Sequence, residues 1–236
     1  MPVNWQCSKN YASVDNSTQI FIGIFTTAKG FERRQLIRNT YLQHIPDNVM
    51  YKFVMGNDAP RDEIDTYHDI LPLDIEENMN EGKTYEYFKL MADVFRDHPV
   101  DFVLKADDDS YLYLDRLYQD LSRTPKSMSY WGFLVGNTFM GGECYGLSFD
   151  LVQWVATNEI AAKYKVGHED SQVQKWFDWS DTAVDYQIRN CRIHDYIESN
   201  TVYSKHIDLN ASMVVHALKT DDHFMDVHTI MEQVRQ

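Results

Sequence analysis

The sequence is short of basic residues: 22 Lys and Arg stand against 36 Asp and Glu in 236 residues, a formal charge of −14. A chain that acidic repels a phosphodiester backbone or an anionic membrane surface unless it hides a strong basic patch. The longest basic cluster is only Arg33-Arg34, with Arg38 nearby, so nucleic acid is set aside as a partner. Cysteine is scarce as well. Cys7, Cys144 and Cys191 leave one thiol unpaired in any intramolecular scheme, are too few for a disulfide scaffold and lack zinc-like spacing. No run approaches the ~20 apolar residues of a membrane helix. The polar stretch from Met1 to Ser17 lacks the apolar centre of a secretory signal. As it stands the chain reads as soluble, with membrane attachment left to an anchor outside it. No repeat, low-complexity tract or Pro/Gly-rich linker divides it, so a single domain is expected over residues 20–236, behind an N-terminal extension, 1–19.

What is present is ample for a core: 44% hydrophobic and 14% aromatic residues exclude a disordered chain. Ile20 to Phe25 is a β-branched and aromatic run of buried-strand type. After Gly30, Phe31 to Gln43 shows helical spacing and is closed by Pro46. A strand over Tyr51–Met55, a helical stretch after Pro60 and a short strand over Ile70–Leu73 follow. Lys83 to Arg96 predicts a helix with Tyr87, Leu90, Met91, Val94 and Phe95 on one face, and Asp101 to Lys105 another strand. Leu114, Leu117, Tyr118 and Leu121 carry the next amphipathic helix. This alternation argues for a mostly parallel sheet with helices on both faces. The second half is less regular: aromatic strands, a helix capped by Asp150, a helix over Glu169–Trp179, mixed strands to Val215 and a last helix opened by Asp221 or Asp222. The expectation is α/β in front and α+β behind.

The strand at 101–105 runs straight into Asp107-Asp108-Asp109. Ligands of open α/β sheets sit beyond the carboxyl ends of the strands. Three ionised neighbours repel one another unless a cation neutralises them. If the segment is extended, Asp107 and Asp109 point one way and Asp108 the other. A hard divalent ion such as Mn²⁺ or Mg²⁺ suits oxygen ligands and bridges readily to a diphosphate. An acidic turn that caps the following helix is the plainer alternative, and the triplet alone does not choose.

Other segments add to it. Phe31-Glu32-Arg33-Arg34-Gln35-Leu36-Ile37-Arg38-Asn39-Thr40-Tyr41 resembles the E-R-R-x-x-I-R-x-T-W/Y segment of glycosyltransferase family 31, the β-1,3-galactosyltransferases, β-1,3-N-acetylglucosaminyltransferases and Fringe-like enzymes. Phe102 to Leu112 is similar to that family's F-V-x-K-x-D-D-D-x-F/Y-V, and Tyr145-Gly146-Leu147-Ser148 to its G-Y-x-x-S strand. Glu169-Asp170-Ser171-Gln172-Val173 resembles E-D-V-x-x-G, with Ser171 in place of Val and Lys175 near the expected glycine. Val215-His216-Ala217-Leu218-Lys219 is similar to a late His-containing strand. The segments span residues 20–219, and Asn80 to Tyr85 and Leu147 to Val152 are most like the fungal branch. Which residues of 80–89 match the family's K-T dipeptide is left open.

The resemblance implies the GT-A fold, a nucleotide-sugar-binding α/β sandwich, and an inverting, Mn²⁺- or Mg²⁺-dependent transfer of a hexose from a UDP-sugar to a glycan or glycoprotein hydroxyl in β-1,3 linkage. Fungal-branch likeness points to galactose as the donated sugar, and the Golgi lumen is the compartment implied. Asp109 and His216 are the implied metal ligands, Asp107 and Asp108 the donor's hydroxyl ligands, Asp170 the general base and Glu169 its donor-side neighbour. Thr26 and Thr27 are candidates for the uridine pocket. Arg34 and Arg38, four apart on one helix face, either meet the diphosphate or pair with carboxylates of the fold. Trp131 and Tyr145 either stack on a sugar or fill the core. The altered context after Asp170 also admits a member that binds UDP-sugar or glycan without turnover. Two glycosylation sequons, at Asn16 and Asn210, are present, and oligomeric state is not legible.

Overall fold

In the computed structural model, residues 7–8, 12–196, 207–208 and 210–235 are described. The first strand, β1 (Ile20–Phe25), is buried at every position, which requires cover on both faces of its sheet. Ile20, Ile22 and Ile24 enter one core with Phe102, Leu104 and Ala106, while Phe21, Phe25 and Val103 enter the other. Gly23 is glycine because a Cβ there would lie 2.5 Å from the Tyr87 ring, whose hydroxyl donates to Leu104 O at 2.7 Å.

The elements in chain order are α1 (Phe31–Arg38), a 3₁₀ turn over Tyr41–His44, β2 (Val49–Met55), α2 (Arg61–Tyr67), β3 (Ile70–Pro72), α3 (Lys83–Val94), β4 (Phe102–Asp107) and β5 (Tyr111–Leu112). They continue with α4 (Leu114–Leu121), β6 (Ser129–Val135), β7 (Phe139–Ser148), α5 (Phe149–Thr157), α6 (Glu159–Lys163), α7 (Glu169–Trp179), β8 (Asp185–Ile188), β9 (Ile193–Asp195), β10 (Val214–His216) and α8 (Asp221–Arg235). A seven-stranded sheet has the order β3-β2-β1-β4-β7-β6-β8, and a three-stranded sheet the order β5-β10-β9. The pairs β3-β2-β1-β4 are parallel, β7 is antiparallel to both β4 and β6, and β8 runs parallel to β6. One face of the large sheet carries α1, α4, α8 and the small sheet; α3, α5, α6 and α7 cover the other.

Two helices differ from their sequence patterns. The helix expected to Gln43 ends at Arg38, where the Thr40 hydroxyl donates back to the carbonyls of Leu36 and Ile37 and the chain tightens into 3₁₀ geometry. α3 buries Tyr85, Tyr87, Phe88 and Met91, whereas Val94 stays exposed. The thiols divide as follows: Cys7 is disulfide-bonded to Cys191, and Cys144 is free and buried. The bridge ties the described part of the N-terminal extension to the turn between β8 and β9, where Ser8 N also donates to Ile188 O at 2.9 Å. No helix among the described residues is long and apolar enough to cross a membrane.

Candidate active site

The strand order reverses at β1: β2 follows on one side, and β4 lies on the other. Such a switch point opens a crevice at the carboxyl edge. Phe25, the last residue of β1, is in register with Asp107, the last of β4. The chains leaving both strands therefore meet. Thr26 Oγ1 donates to Asp108 Oδ2 at 2.6 Å, which turns Asp108 toward β1 and away from its two neighbours. Burial holds the Asp108 carboxyl above its ordinary pKa; the Thr26 bond opposes this, and Asp109 and Asp107 add to it.

Asp107 and Asp109 converge instead on His216, with one ligand atom from each residue lying within 4.8 Å of the others. Sequence alone could not close the distance between Asp109 and His216. The small sheet does so: β5, just after the triplet, pairs with β10, placing Val215 opposite Tyr111, and Leu218 N donates to Asp109 O at 3.0 Å. The imidazole is held from behind by Asp195, whose Oδ1 lies 2.7 Å from Nδ1, so that Nε2 faces Asp109 Oδ1 at 3.5 Å. A carboxylate behind a histidine is the usual support of a metal-binding imidazole. Two carboxylates and one imidazole suit Mn²⁺ or Mg²⁺. An ion about 2.1 Å from each ligand holds them within about 4.2 Å of one another, so the cluster fits with at most a small closure. Asp107, expected at the donor's hydroxyls, thus joins Asp109 and His216.

Below the triplet, Lys105 is buried with its Nζ on Gly142 O at 2.7 Å, Asp107 Oδ1 at 2.7 Å and Glu169 Oε2 at 2.9 Å. Burial works against its charge, but the fields of Asp107 and Glu169 outweigh burial and raise its pKa. Glu169 also accepts from the Thr84 and Tyr145 hydroxyls, each at 3.0 Å. The first turn of α7 is thereby fastened to α3, β4 and β7 at once. Gly142 leaves room for this: a Cβ there would stand 3.2 Å from Lys105 Nζ and 3.3 Å from Glu169 Oε2. Lys83, at the start of α3, donates to Thr26 O at 2.8 Å and Glu77 Oε1 at 2.7 Å; burial lowers its pKa against the pull of Glu77.

Asp170 lies beside this floor and outside the lining of the cleft. Its Oδ1 is 2.6 Å from His168 Nδ1 and accepts from Ser171 N at 2.8 Å. Among the described residues its Oδ2 has no hydrogen-bond partner.

Several side chains named from sequence lie elsewhere. Arg34 is buried and forks onto Glu63, with Nε at 2.7 Å and Nη2 at 2.5 Å, while Nη1 donates to Thr27 O at 2.6 Å. Arg38 holds Glu63 and both oxygens of Asp69, each at 2.8 Å. Neither lines the cleft: both arginines pair with the buried carboxylates Glu63 and Asp69, while Arg38 Nη1 is buried without a hydrogen-bond partner. Their neighbour Arg33 lines it, and the Arg33 Nη1 is buried without a hydrogen-bond partner. Trp131 and Tyr145 are fully buried and belong to the core, Trp131 donating to Asp120 Oδ2 at 2.8 Å. Sequence reasoning missed Arg33, Asp195 and Glu143. The carboxyl of Glu143, on β7 where the pairing with β6 slips register, is pushed up to about 7 by burial and by Asp195 and Asp107, against His216. Nothing in the local pattern marked Glu143 or Asp195; Arg33 stood in the basic cluster, one residue from the one chosen.

These groups surround a cleft of about 580 Å³ lined by Thr26, Thr27, Arg33, Lys83, the aspartate triplet, Glu169 and Lys219, among others, a volume suited to a nucleotide-sized ligand. A larger cleft of about 740 Å³ lies between α3 and α5, walled by Leu90 and Trp154, and contains none of these groups.

The sequence profile described as Galactosyltransferase matches residues 32–137, from α1 through the triplet to the β6–β7 turn. The chain is similar to beta-1,3-galactosyltransferase pvg3 of Schizosaccharomyces pombe, 24% identical over 87% of this chain and 72% of that one. It is also similar to the probable beta-1,3-galactosyltransferase 12 of Arabidopsis thaliana, 28% identical over 66% of this chain and 53% of that one, so it spans about half of the plant protein. Among solved structures, the glycosyltransferase GlyE of Streptococcus pneumoniae TIGR4 superposes with a TM-score of 0.56 at 9% identity, covering 92% of this chain and 63% of that one, a likeness of fold. With the motif segments, the sheet order and these relatives in agreement, the chain resembles the galactosyltransferases of glycosyltransferase family 31 and has the GT-A fold.

Proposed function

We propose that the protein transfers galactose from a UDP-sugar to a hydroxyl of a glycan or glycoprotein acceptor, forming a β-1,3 linkage with inversion. The observation that carries this reading is the convergence of Asp107, Asp109 and His216 at the rim of a cleft built at the β1–β4 switch point. Asp107, Asp109 and His216 would hold Mn²⁺ or Mg²⁺, which supplies Lewis-acid neutralisation of charge on the leaving diphosphate. Thr26 and Thr27 stand where the nucleoside enters, at the end of β1, and Arg33 Nη1 is a spare donor for a phosphate oxygen. Asp108 offers the donor a hydroxyl acceptor on the β1 side. Lys105, Thr84 and Tyr145 occupy both oxygens of Glu169, so the base is assigned to the next residue, Asp170. His168 and Ser171 N hold its Oδ1 and leave Oδ2 to take the proton of the acceptor hydroxyl as that oxygen attacks in line. The disulfide between Cys7 and Cys191 suits an oxidising lumen such as the Golgi.

Asp170→Asn keeps the size of the side chain and removes its basicity. It should lower turnover by roughly 10²–10⁴-fold while leaving UDP and Mn²⁺ binding, measured by calorimetry, near wild type. Wild-type turnover in this variant would remove Asp170 from the role. A screen of UDP-sugars with Mn²⁺ and with EDTA tests donor and metal together: EDTA-insensitive transfer contradicts the metal site, and binding of UDP without turnover on any donor marks a binding module.

A further inference from the structure

Three lysines line the cleft, and they are held very differently. Lys105 is 1% exposed and fastened by three partners; Lys83 is buried between Glu77 and Thr26 O. The side chain of Lys219 is 71% exposed, and its ammonium rests on Asp109 Oδ2. Asp109 is therefore gripped from both sides, by His216 Nε2 on Oδ1 and by Lys219 Nζ on Oδ2.

The backbone is bent to achieve this. After β10, Ala217 takes φ 63, a left-handed conformation that costs a non-glycine residue about 1–2 kcal/mol. Leu218 N then donates to Asp109 O at 3.0 Å, and Lys219 N to Ala217 O at 3.0 Å. The fold spends strain to lay the root of Lys219 directly over the last aspartate of the triplet.

We infer that Lys219 is an exchangeable counter-ion of the acidic cluster: it neutralises Asp109 when no divalent cation is bound, and moves to the donor's diphosphate when one is. This rests on the metal site proposed above. An ammonium on Asp109 Oδ2 and a divalent cation drawing on the same carboxylate repel each other, so binding of the ion displaces Nζ. Because the arm is solvated, release requires no burial or unburial of charge, unlike release of Lys105. The displaced ammonium remains in the same cleft as Thr26, Thr27 and Arg33, where the diphosphate is the anion on offer. The device also eases the unliganded state, in which three adjacent carboxylates stand together.

The two halves of this exchange predict opposite shifts in one variant. Lys219→Met keeps the length of the arm and removes its charge. Titration of the metal alone, by calorimetry or by the electron paramagnetic resonance of free Mn²⁺, should show binding roughly two- to fivefold tighter than in wild type, the scale of an exposed ion pair. Titration of UDP at saturating Mn²⁺ should show binding about tenfold weaker. Lys219→Arg should restore both toward wild type. An unchanged melting temperature confirms that the exposed substitution leaves the fold intact. If wild type and Lys219→Met bind Mn²⁺ equally, the counter-ion role is overturned while the metal site stands; if UDP binding is unchanged, the transfer to the diphosphate is overturned. If neither protein binds Mn²⁺, the metal site itself is wrong, and the inference falls with it.

Discussion

Asp195 Oδ1 lies 2.7 Å from His216 Nδ1, and the imidazole consequently presents Nε2 to Asp109. The two residues are neighbours across β9 and β10, where His216 is in register with Asp195. The parallel pairing of two three-residue strands thus fixes the orientation of the imidazole that faces Asp109.

That relationship sets the first prediction. Asp195→Ala frees the ring to rotate and takes away the acceptor that fixes its tautomer. Mn²⁺ affinity should fall about 10–100-fold, read by calorimetry on folded protein, with the far-ultraviolet circular dichroism unchanged. An affinity equal to wild type would show that His216 needs no support, and would weaken its assignment as a ligand.

The second prediction concerns the arginines of α1. Glu63 accepts from Arg34 and Arg38 together, and all three side chains are buried. Burial works against the Glu63 charge, yet the two guanidinium groups outweigh it and hold the carboxyl below its ordinary pKa. Glu63→Gln leaves buried positive charge under-compensated, with Asp69 the remaining carboxylate for Arg38. A loss of roughly 3–5 kcal/mol of stability is expected, seen as a lower urea midpoint. UDP affinity, measured at low temperature where the variant is folded, should stay near wild type. Weakened UDP binding without lost stability would return Arg34 and Arg38 to the donor site.

These two cases also show what the sequence could and could not carry. β1 and β4 were legible because strands buried on both faces read as continuous apolar runs, and the triplet's place followed from the end of β4. Asp108 does point away from its neighbours, but for a different reason: β4 ends at Asp107, Asp108 and Asp109 lie in a turn closed by Ser110 N on Asp107 O at 3.1 Å, and Thr26 holds the Asp108 carboxylate. Arg34 and Arg38 were visible as a pair on one helix face, but their partners come from α2 and the turn after it, 29 and 31 residues away. Helical spacing reveals which residues share a face and says nothing of what faces them. Tyr145 and Trp131 were ambiguous for the same reason: an aromatic ring on a strand is a sugar platform or a core residue according to the helix that covers it, here α7 for Tyr145. Asp195 and Glu143 stood in segments with no motif at all, and only the pairing of β9 with β10 and the register slip in β7 gave them a place.

The last prediction is a pH dependence that belongs to the fold and lies outside the cleft. Asp150, in the first turn of α5, accepts from Ser148 Oγ at 2.5 Å, Ser127 Oγ at 2.7 Å, Met128 N at 2.9 Å and Leu151 N at 2.9 Å. Partial burial by itself would raise its pKa, but the two hydroxyls and the two backbone N–H groups outweigh burial and hold the carboxyl below the ordinary aspartate value. A carboxyl with a lower pKa folded than unfolded binds more protons in the unfolded chain, so stability rises with pH through that window. The contribution of Asp150 is therefore complete above an unfolded pKa of about 4 and is lost as pH falls through the lower, folded value. Asp150→Asn keeps one acceptor oxygen and cannot titrate. Its stability should be lower than wild type at pH 7, by about 1–2 kcal/mol for lost charge-assisted bonds, and the gap should shrink between pH 4 and pH 2. Urea unfolding of both proteins across that range reads the difference directly. A gap that stays constant down to pH 2 would mean that the Asp150 carboxylate carries no pH-dependent stability, and that the junction between β7 and α5 is held by its packing alone.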